Sequence, residues 1–219
     1  MAKLVIFGAG DIARLAQVYF STDSEYEVVG FAVDPEYYTT DTFQGLPLTT
    51  TPLLPDRFPP SEYQLFVALS YQERNHTRCN KIMALKQLGY RFASYVSSKC
   101  TFLTSCTVGE NCFILEDNTI QPFVLIGNDV FIWSGNHIGH DSEICDHNFI
   151  SSHVVISGHC KINSFCFLGV NSTLHNGVTI APENIIGAGA IVRKNTEPFQ
   201  VIVPAASRAL DDRSDKLKL

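Results

Sequence analysis

From Val96 onward an aliphatic residue returns at every sixth position: Val96, Phe102, Val108, Ile114, Ile120, Ile126, Ile132, Ile138, Ile144, Ile150, Ile156, Ile162, Leu168, Leu174, Ile180 and Ile186. Fifteen of the sixteen are Ile, Leu or Val and the other is Phe, so one buried environment recurs along the chain. A second column, four residues behind the first, holds only small residues, β-branched residues and Asn, from Cys100 and Cys106 through Asn118 and Val124 to Asn184 and Ala190. A period of six fits neither the 3.6 of a helix nor the alternation of a strand. It predicts a prism with three faces of short strands, each hexad making one face and one corner. Three hexads, eighteen residues, complete a coil, and each coil buries its core against the next.

The first 95 residues follow another pattern. Lys3–Phe7 reads as a buried strand, Gly8-Ala9-Gly10-Asp11-Ile12-Ala13 as a turn, and Ile12, Leu15, Ala16 and Tyr19 as one face of a helix. Residues 27–34 form a second strand ending in Asp34, and residues 65–70 a third ending in Ser70, followed by a helix to about Leu88. A glycine turn opening a helix presents backbone N–H groups to phosphate, and an acid after the second strand can accept from a ribose or base. The unit is too short for the second half of a dinucleotide-binding domain, which favours a nucleotide-sugar over NAD. Six of the ten prolines fall in residues 35–60 and mark irregular connections.

Composition narrows the class. With 45% apolar and 17% charged residues the chain is globular, and a net charge of −6 argues against nucleic acid. No apolar run approaches the 18 residues of a membrane span, and the apolar part of the start is too short for a signal peptide; a cytoplasmic protein is expected. None of the seven cysteines forms a Cys-x-x-Cys pair. Five of them (100, 106, 112, 160 and 166) sit in the small column, where a thiol serves as compact packing.

Motifs such as Ile126-Gly127-Asn128-Asp129-Val130-Phe131 and Ile138-Gly139-His140-Asp141-Ser142-Glu143 resemble those of the hexapeptide-repeat transferases. That resemblance implies a left-handed parallel β-helix over 96–206, a homotrimer, and active sites between neighbouring prisms. Preceded by an α/β domain over 1–95, the whole resembles the sugar acyltransferases of the sialic-acid O-acetyltransferase and bacillosamine-pathway N-acetyltransferase type. There the first domain holds a nucleotide-linked sugar, which here implies contacts at Gly8, Gly10, Asp11, Asp34 and Ser70. The turn departs from the family's Gly-Ala-Ser-Gly-His-Gly-Lys, with Gly10, Asp11, Ile12 and Arg14 in place of Ser, Gly, His and Lys. The closing Gly-Val/Asn-Pro-Ala of the family is replaced by Ile202-Val203-Pro204-Ala205, and the tail 207–219 reads as solvated.

Of the histidines, His147, His153 and His159 are spaced by six and so leave the prism in three directions, a poor metal set unless other subunits complete it. His76 reads as solvated. His140 differs: its neighbours one coil away are Pro122 and Gly158, neither with a long side chain, and Asp141 follows it. Acyl transfer from a thioester to an amine needs a base with a pKa near neutrality, and an adjacent acid can hold its tautomer. The resemblance likewise makes His140 the base with Asp141 beside it. It implies that the Gly158 N–H polarises the thioester carbonyl, that pantetheine lies along Gly169, Val170, Gly187 and Ala188, and that Trp133 stands where relatives carry an Asn near the sugar, a position from which its ring either stacks on sugar or base or packs at the trimer seam. The expected function is transfer of an acyl group from acyl-CoA, without a metal, to the amino group of a nucleotide-linked deoxyamino sugar. Acetyl is the default and a hydroxyacyl chain such as hydroxybutyryl an alternative. Sugar O-acetylation, a γ-carbonic-anhydrase-like zinc hydratase and a non-catalytic nucleotide sensor remain open.

Overall fold

A computed structural model of the protein describes residues 1–102 and 106–205, so the expected tail 207–219 lies outside the described residues. The N-terminal unit is a mixed five-stranded sheet with helices on it. Its strands are β1 (Ala2–Phe7), β2 (Tyr26–Val33), β3 (Thr42–Phe43), β4 (Leu46–Thr50) and β5 (Tyr63–Val67), in the order β3-β4-β2-β1-β5. Only the β3–β4 pair is antiparallel. Helix α1 spans Asp11–Thr22, a short α2 spans Leu54–Arg57, and α3 spans His76–Gln87. The buried stripe of α1 is Ala13, Ala16 and Phe20, one residue round from the expected one, with Ile12 and Tyr19 on its flanks.

From Tyr95 the chain winds into a left-handed parallel β-helix of two-residue strands stacked in three sheets. The phenylalanine face carries outward Tyr95, Phe113, Phe131, Phe149, Phe167 and Ile185. The threonine face carries Thr101, Thr119, His137, Val155, Thr173 and Ile191. The charged face carries Thr107, Leu125, Glu143, Lys161 and Thr179. Register is eighteen residues from coil to coil except in the last pairing, where Ile185 meets Val201 sixteen residues on, and Ile114 through Ile186 of the aliphatic column are at most 3% exposed.

The asparagines of the small column clip successive coils together. Asn136 donates to the carbonyl of Trp133 in its own turn and accepts the Val154 N–H at 2.6 Å from the next coil; Asn148 does the same with Cys145 and Cys166. Each thereby satisfies corner N–H and C=O groups that two-residue strands leave unpaired. The cysteines of that column pack as expected, and burial pushes the Cys112 and Cys166 thiols up to about 12, far from a reactive thiolate.

The outward phenylalanines explain where the first domain sits. Phe113, Phe131 and Phe149 are at most 3% exposed because Leu4, Ile6, Phe31, Phe66 and the buried stripe of α1 cover them. At roughly 1.5–3 kcal/mol for each buried ring, these three contribute roughly 4.5–9 kcal/mol to docking. An exposed pair such as Lys86–Glu110 contributes about 0–1 kcal/mol. Aromatic burial, not surface charge, holds the domain against the prism.

Candidate active site

The corner between the threonine and charged faces stacks Pro122–Phe123, His140–Asp141, Gly158–His159 and Asn176–Gly177 in successive coils. Backbone bonds run from coil to coil: Asp141 N–H to Pro122 O at 3.2 Å, His159 N–H to His140 O at 2.9 Å, and Gly177 N–H to Gly158 O at 2.9 Å. The His140 N–H instead donates to Gln121 Oε1 at 2.9 Å. The second residue of each turn is left-handed, with φ of 56° at Asp141 and 57° at His159.

His140 Nδ1 lies 2.8 Å from Asp141 Oδ2, and both side chains are about half exposed. With Nδ1 engaged by the carboxylate, Nε2 is the free basic nitrogen. It points past Gly158, where a Cβ would lie 2.8 Å from Nε2 and 3.0 Å from Cε1. The glycine is therefore required beside the ring. Among the described residues nothing accepts from the Gly158 N–H, which leaves this donor free beside His140. Sequence reasoning thus brought His140, Asp141 and Gly158 to one place, and the structure has them together.

It missed His159. Its ring meets His140 edge-on, with centroids 4.9 Å apart and planes at 89°. Ligand atoms of His140, Asp141 and His159 all lie within 4.8 Å of one another on an exposed surface. The expectation that the spaced histidines gain partners only from other subunits is corrected here, because His159 lies one coil above Asp141. His147 and His153 do diverge: His147 Nδ1 lies 2.9 Å from Asp129 Oδ2 at the next corner, and His153 packs against Gly135 at the third. His76 is not simply solvated. Its Nε2 lies 2.7 Å from Glu183 Oε1 and its ring stacks on Phe165 at 4.0 Å.

Gly169, Val170, Gly187 and Ala188 lie at the corner between the phenylalanine and threonine faces, not at that of His140. A Cβ on Gly169 would come within 2.6 Å of the Ala188 N, so these coils touch backbone to backbone and present a shallow surface. Within one chain the threonine face separates them from His140. Trp133 occupies the same corner two coils earlier, packed near Phe149, with its Nε1–H buried and without a partner among the described residues.

In the first domain, Gly8 has φ 128° and a Cβ there would meet Ala68 O at 3.0 Å, so only glycine closes this turn. Gly10 stands at the N-terminus of α1 with open space around it. Asp11 is exposed and pairs with Arg14 at 3.2 Å. Asp34 Oδ1 accepts from Lys81 Nζ at 2.6 Å and Thr51 Oγ1 at 2.7 Å. Lys81 is a cation at the strand ends that sequence reasoning did not single out. Ser70 lends its carbonyl to Arg78 at 3.4 Å. A polar cleft of about 460 Å³ lined by Tyr19, Asp23, Tyr95, Lys99 and Glu116 lies at the far end of α1 and does not include His140. The convergent chemistry, rather than this concavity, marks the site, since the His140 corner is open on a single chain.

Residues 123–158 match the family of the bacterial transferase hexapeptide (six repeats). Among solved structures, the acetyltransferase domain of PglB from Neisseria gonorrhoeae FA1090 is 18% identical, with a TM-score of 0.82, covering 96% of this chain and 100% of that one. A mutant of GDP-perosamine N-acetyl transferase from Caulobacter crescentus, in complex with CoA and GDP-perosamine, is 20% identical with a TM-score of 0.82, covering 97% and 98%. WeeI from Acinetobacter baumannii AYE is 19% identical with a TM-score of 0.73, covering 96% and 100%. No described helix is long and apolar enough to cross a membrane. Both the repeat and its stacking with an α/β unit are thus accounted for: the chain carries the hexapeptide repeat over residues 123–158 and has the fold of these acetyltransferase structures.

Proposed function

We propose that the protein is a trimeric acyltransferase that moves an acyl group from acyl-CoA to the amino group of a nucleotide-linked deoxyamino sugar, in the cytoplasm and for glycan synthesis. The observation that carries this reading is the His140–Asp141 pair at 2.8 Å with its free Nε2 beside a side-chain-less Gly158. Similar structures were solved with acetyl coenzyme A and with CoA and GDP-perosamine, which supports the same ligand classes here.

Bound acyl-CoA supplies an activated thioester carbonyl. His140 Nε2 takes the proton of the attacking amine as its nitrogen bonds to the carbonyl carbon, and returns it to the CoA sulfur as the C–S bond breaks and free CoA leaves; Asp141 holds Nδ1 protonated and steadies the imidazolium in between. The Gly158 N–H donates to the negative charge that develops on the carbonyl oxygen. The close-packed glycines of Gly169 and Gly187 fit an extended pantetheine arm, because no side chain stands between it and the backbone. Phosphate is bound at the Gly8–Gly10 turn, with Asp11, Asp34, Lys81 and Ser70 around the strand ends and Trp133 toward the sugar.

The faces support the trimer. The phenylalanine face is covered and the charged face carries the Lys161–Glu143 pair at 2.7 Å, whereas the threonine face has no Asp, Glu, Lys or Arg and exposes Val155 and Ile191. Packing that face around a threefold axis brings the glycine corner of one prism toward the His140 corner of the next.

Acceptors carrying UDP, TDP or GDP, offered with acetyl- and hydroxybutyryl-CoA, test the reading. At least one pair should turn over, and His140→Ala should lower kcat by about 10²–10⁴. Activity within a few-fold of the parent would mean another base. Zinc hydration is a second reading, favoured by the grouping of His140, Asp141 and His159. It requires stoichiometric zinc and loss of activity to chelators, whereas acyl transfer survives them.

A further inference from the structure

We infer that Phe123 is the platform on which the apolar face of the acceptor sugar rests, and so a specificity-determining residue of the site; this rests on the acyltransferase reading above. Phe123 holds the second turn position one coil before Asp141, in the column Phe123, Asp141, His159, Gly177. Its φ is 67°. The left-handed second position recurs at the turns of the prism and at exposed Phe199, so the backbone alone marks no site; what distinguishes Phe123 is an exposed ring one coil from His140.

Phe165 makes the comparison that matters. It occupies the same repeat position at another corner, with φ 63°, and its ring is sandwiched between His76 at 4.0 Å and His147 at 4.9 Å. There packing covers the ring. Phe123 is 61% exposed, belongs to none of the hydrophobic clusters, and has no aromatic partner among the described residues. Its ring is left uncovered by the described chain, yet it stands next to the base.

Direction selects the occupant. Gly158 and the glycine-lined coils, where the donor is expected, follow His140 in the stack, whereas Phe123 precedes it. A base works between donor and acceptor, so the coil before His140 faces the acceptor. A deoxyamino sugar presents ring C–H groups on one face, which a bare aromatic ring suits.

The test compares wild type, Phe123→Ala, Phe123→Tyr and Phe123→Asn in steady-state kinetics, light scattering and thermal melting. Phe123→Ala should raise KM for the sugar nucleotide about tenfold, with KM for acyl-CoA within twofold of the parent. Phe123→Tyr should restore it. Phe123→Asn, which tolerates the left-handed backbone, should melt no lower than wild type while losing acceptor affinity like the alanine variant. A rise confined to the acyl-CoA KM, or a Phe123→Ala protein that falls to monomers, would overturn the inference and assign the ring to the donor or to a second copy. An unchanged sugar KM would overturn it too. A wild type that neither binds nor acylates any acceptor would instead remove the acyltransferase reading, and this inference with it.

Discussion

His159 meets His140 edge-on, with ring centroids 4.9 Å apart, although nineteen residues separate them in the chain. The contact arises because a coil is eighteen residues long, which sets His159 above Asp141 and beside His140. The edge-on ring packs against His140 from the next coil, with a ring nitrogen within 4.8 Å of both the Asp141 carboxylate and a His140 nitrogen. His159→Ala should therefore lower kcat by less than His140→Ala does, about tenfold against about 10²–10⁴, without changing metal content. Single-turnover rates on the two variants measure the difference, and equal losses would make the two histidines one functional unit.

Gly158 gives a sharper test of geometry. A Cβ there would press on His140 at 2.8 Å from Nε2, and the ring, half exposed, can swing outward to relieve it. Gly158→Ala should thus fold and melt like the parent yet lose activity by about 10–10² through displacement of the base. Full activity in this variant would show that the ring works in another position. A large fall in Tm would show that the glycine serves the fold alone.

The prism was legible because one physical requirement, an inward aliphatic side chain on each face, repeats every six residues from Ile114 to Ile186 with little interruption. His140, Asp141 and Gly158 were legible for the same reason, since their spacing maps onto one corner. His159 was within reach, being Asp141 plus eighteen, but only the neighbours of His140 itself drew notice. The docking face was also written in the chain, as Phe113, Phe131, Phe149 and Phe167 recur at eighteen on one outward column. What no periodicity carries is pairing across unlike elements. Lys81 reaching Asp34, or Arg78 reaching Asp129, depends on how a helix of one unit lies against a strand end or a prism corner.

Asp23 supplies the pH dependence of the domain contact. It follows α1, and its Oδ2 accepts from Tyr95 Oη at 2.7 Å and from the Ser98 N–H at 2.9 Å on the first coil. Hydrogen bonds from Ser98, then Tyr95, hold its carboxyl down at about 2 against an ordinary 3.8. A depressed carboxyl contributes stability that is complete above its unfolded pKa and disappears as pH falls through the folded one. Asp23→Asn should melt below wild type at pH of about 5, and the gap should close on acidification toward pH of about 2. Other carboxylates titrate there as well, so the difference between the two proteins is the quantity to follow. A constant gap would mean that the Asp23 charge contributes nothing to the contact.

Arg78 carries the last prediction, because it is the largest completely buried side chain among the described residues. Its Nε donates to Asp129 Oδ1 at 2.5 Å, Nη2 to Asp129 O at 3.1 Å, and Nη1 to Leu69 O at 3.2 Å, while the guanidinium lies 4.0 Å over the Phe131 ring. Asp129 in turn accepts from Asn111 Nδ2 at 2.9 Å and lies 2.9 Å from His147 Nδ1. The pair thus ties α3 to a prism corner with both charges removed from water. Desolvating them costs several kcal/mol, so their net worth is small while the cost of breaking one is not. Arg78→Met should destabilise by about 3–5 kcal/mol, since Asp129 is left buried with fewer donors. Asp129→Asn should cost a comparable amount by stranding Arg78. Combining Arg78→Met with Asp129→Leu removes both charges and should cost clearly less than the sum of the single losses, a coupling that a double-mutant cycle in urea measures. Strict additivity would mean that the two residues do not act as a buried pair and that the corner is held by Phe131 and its aromatic neighbours alone.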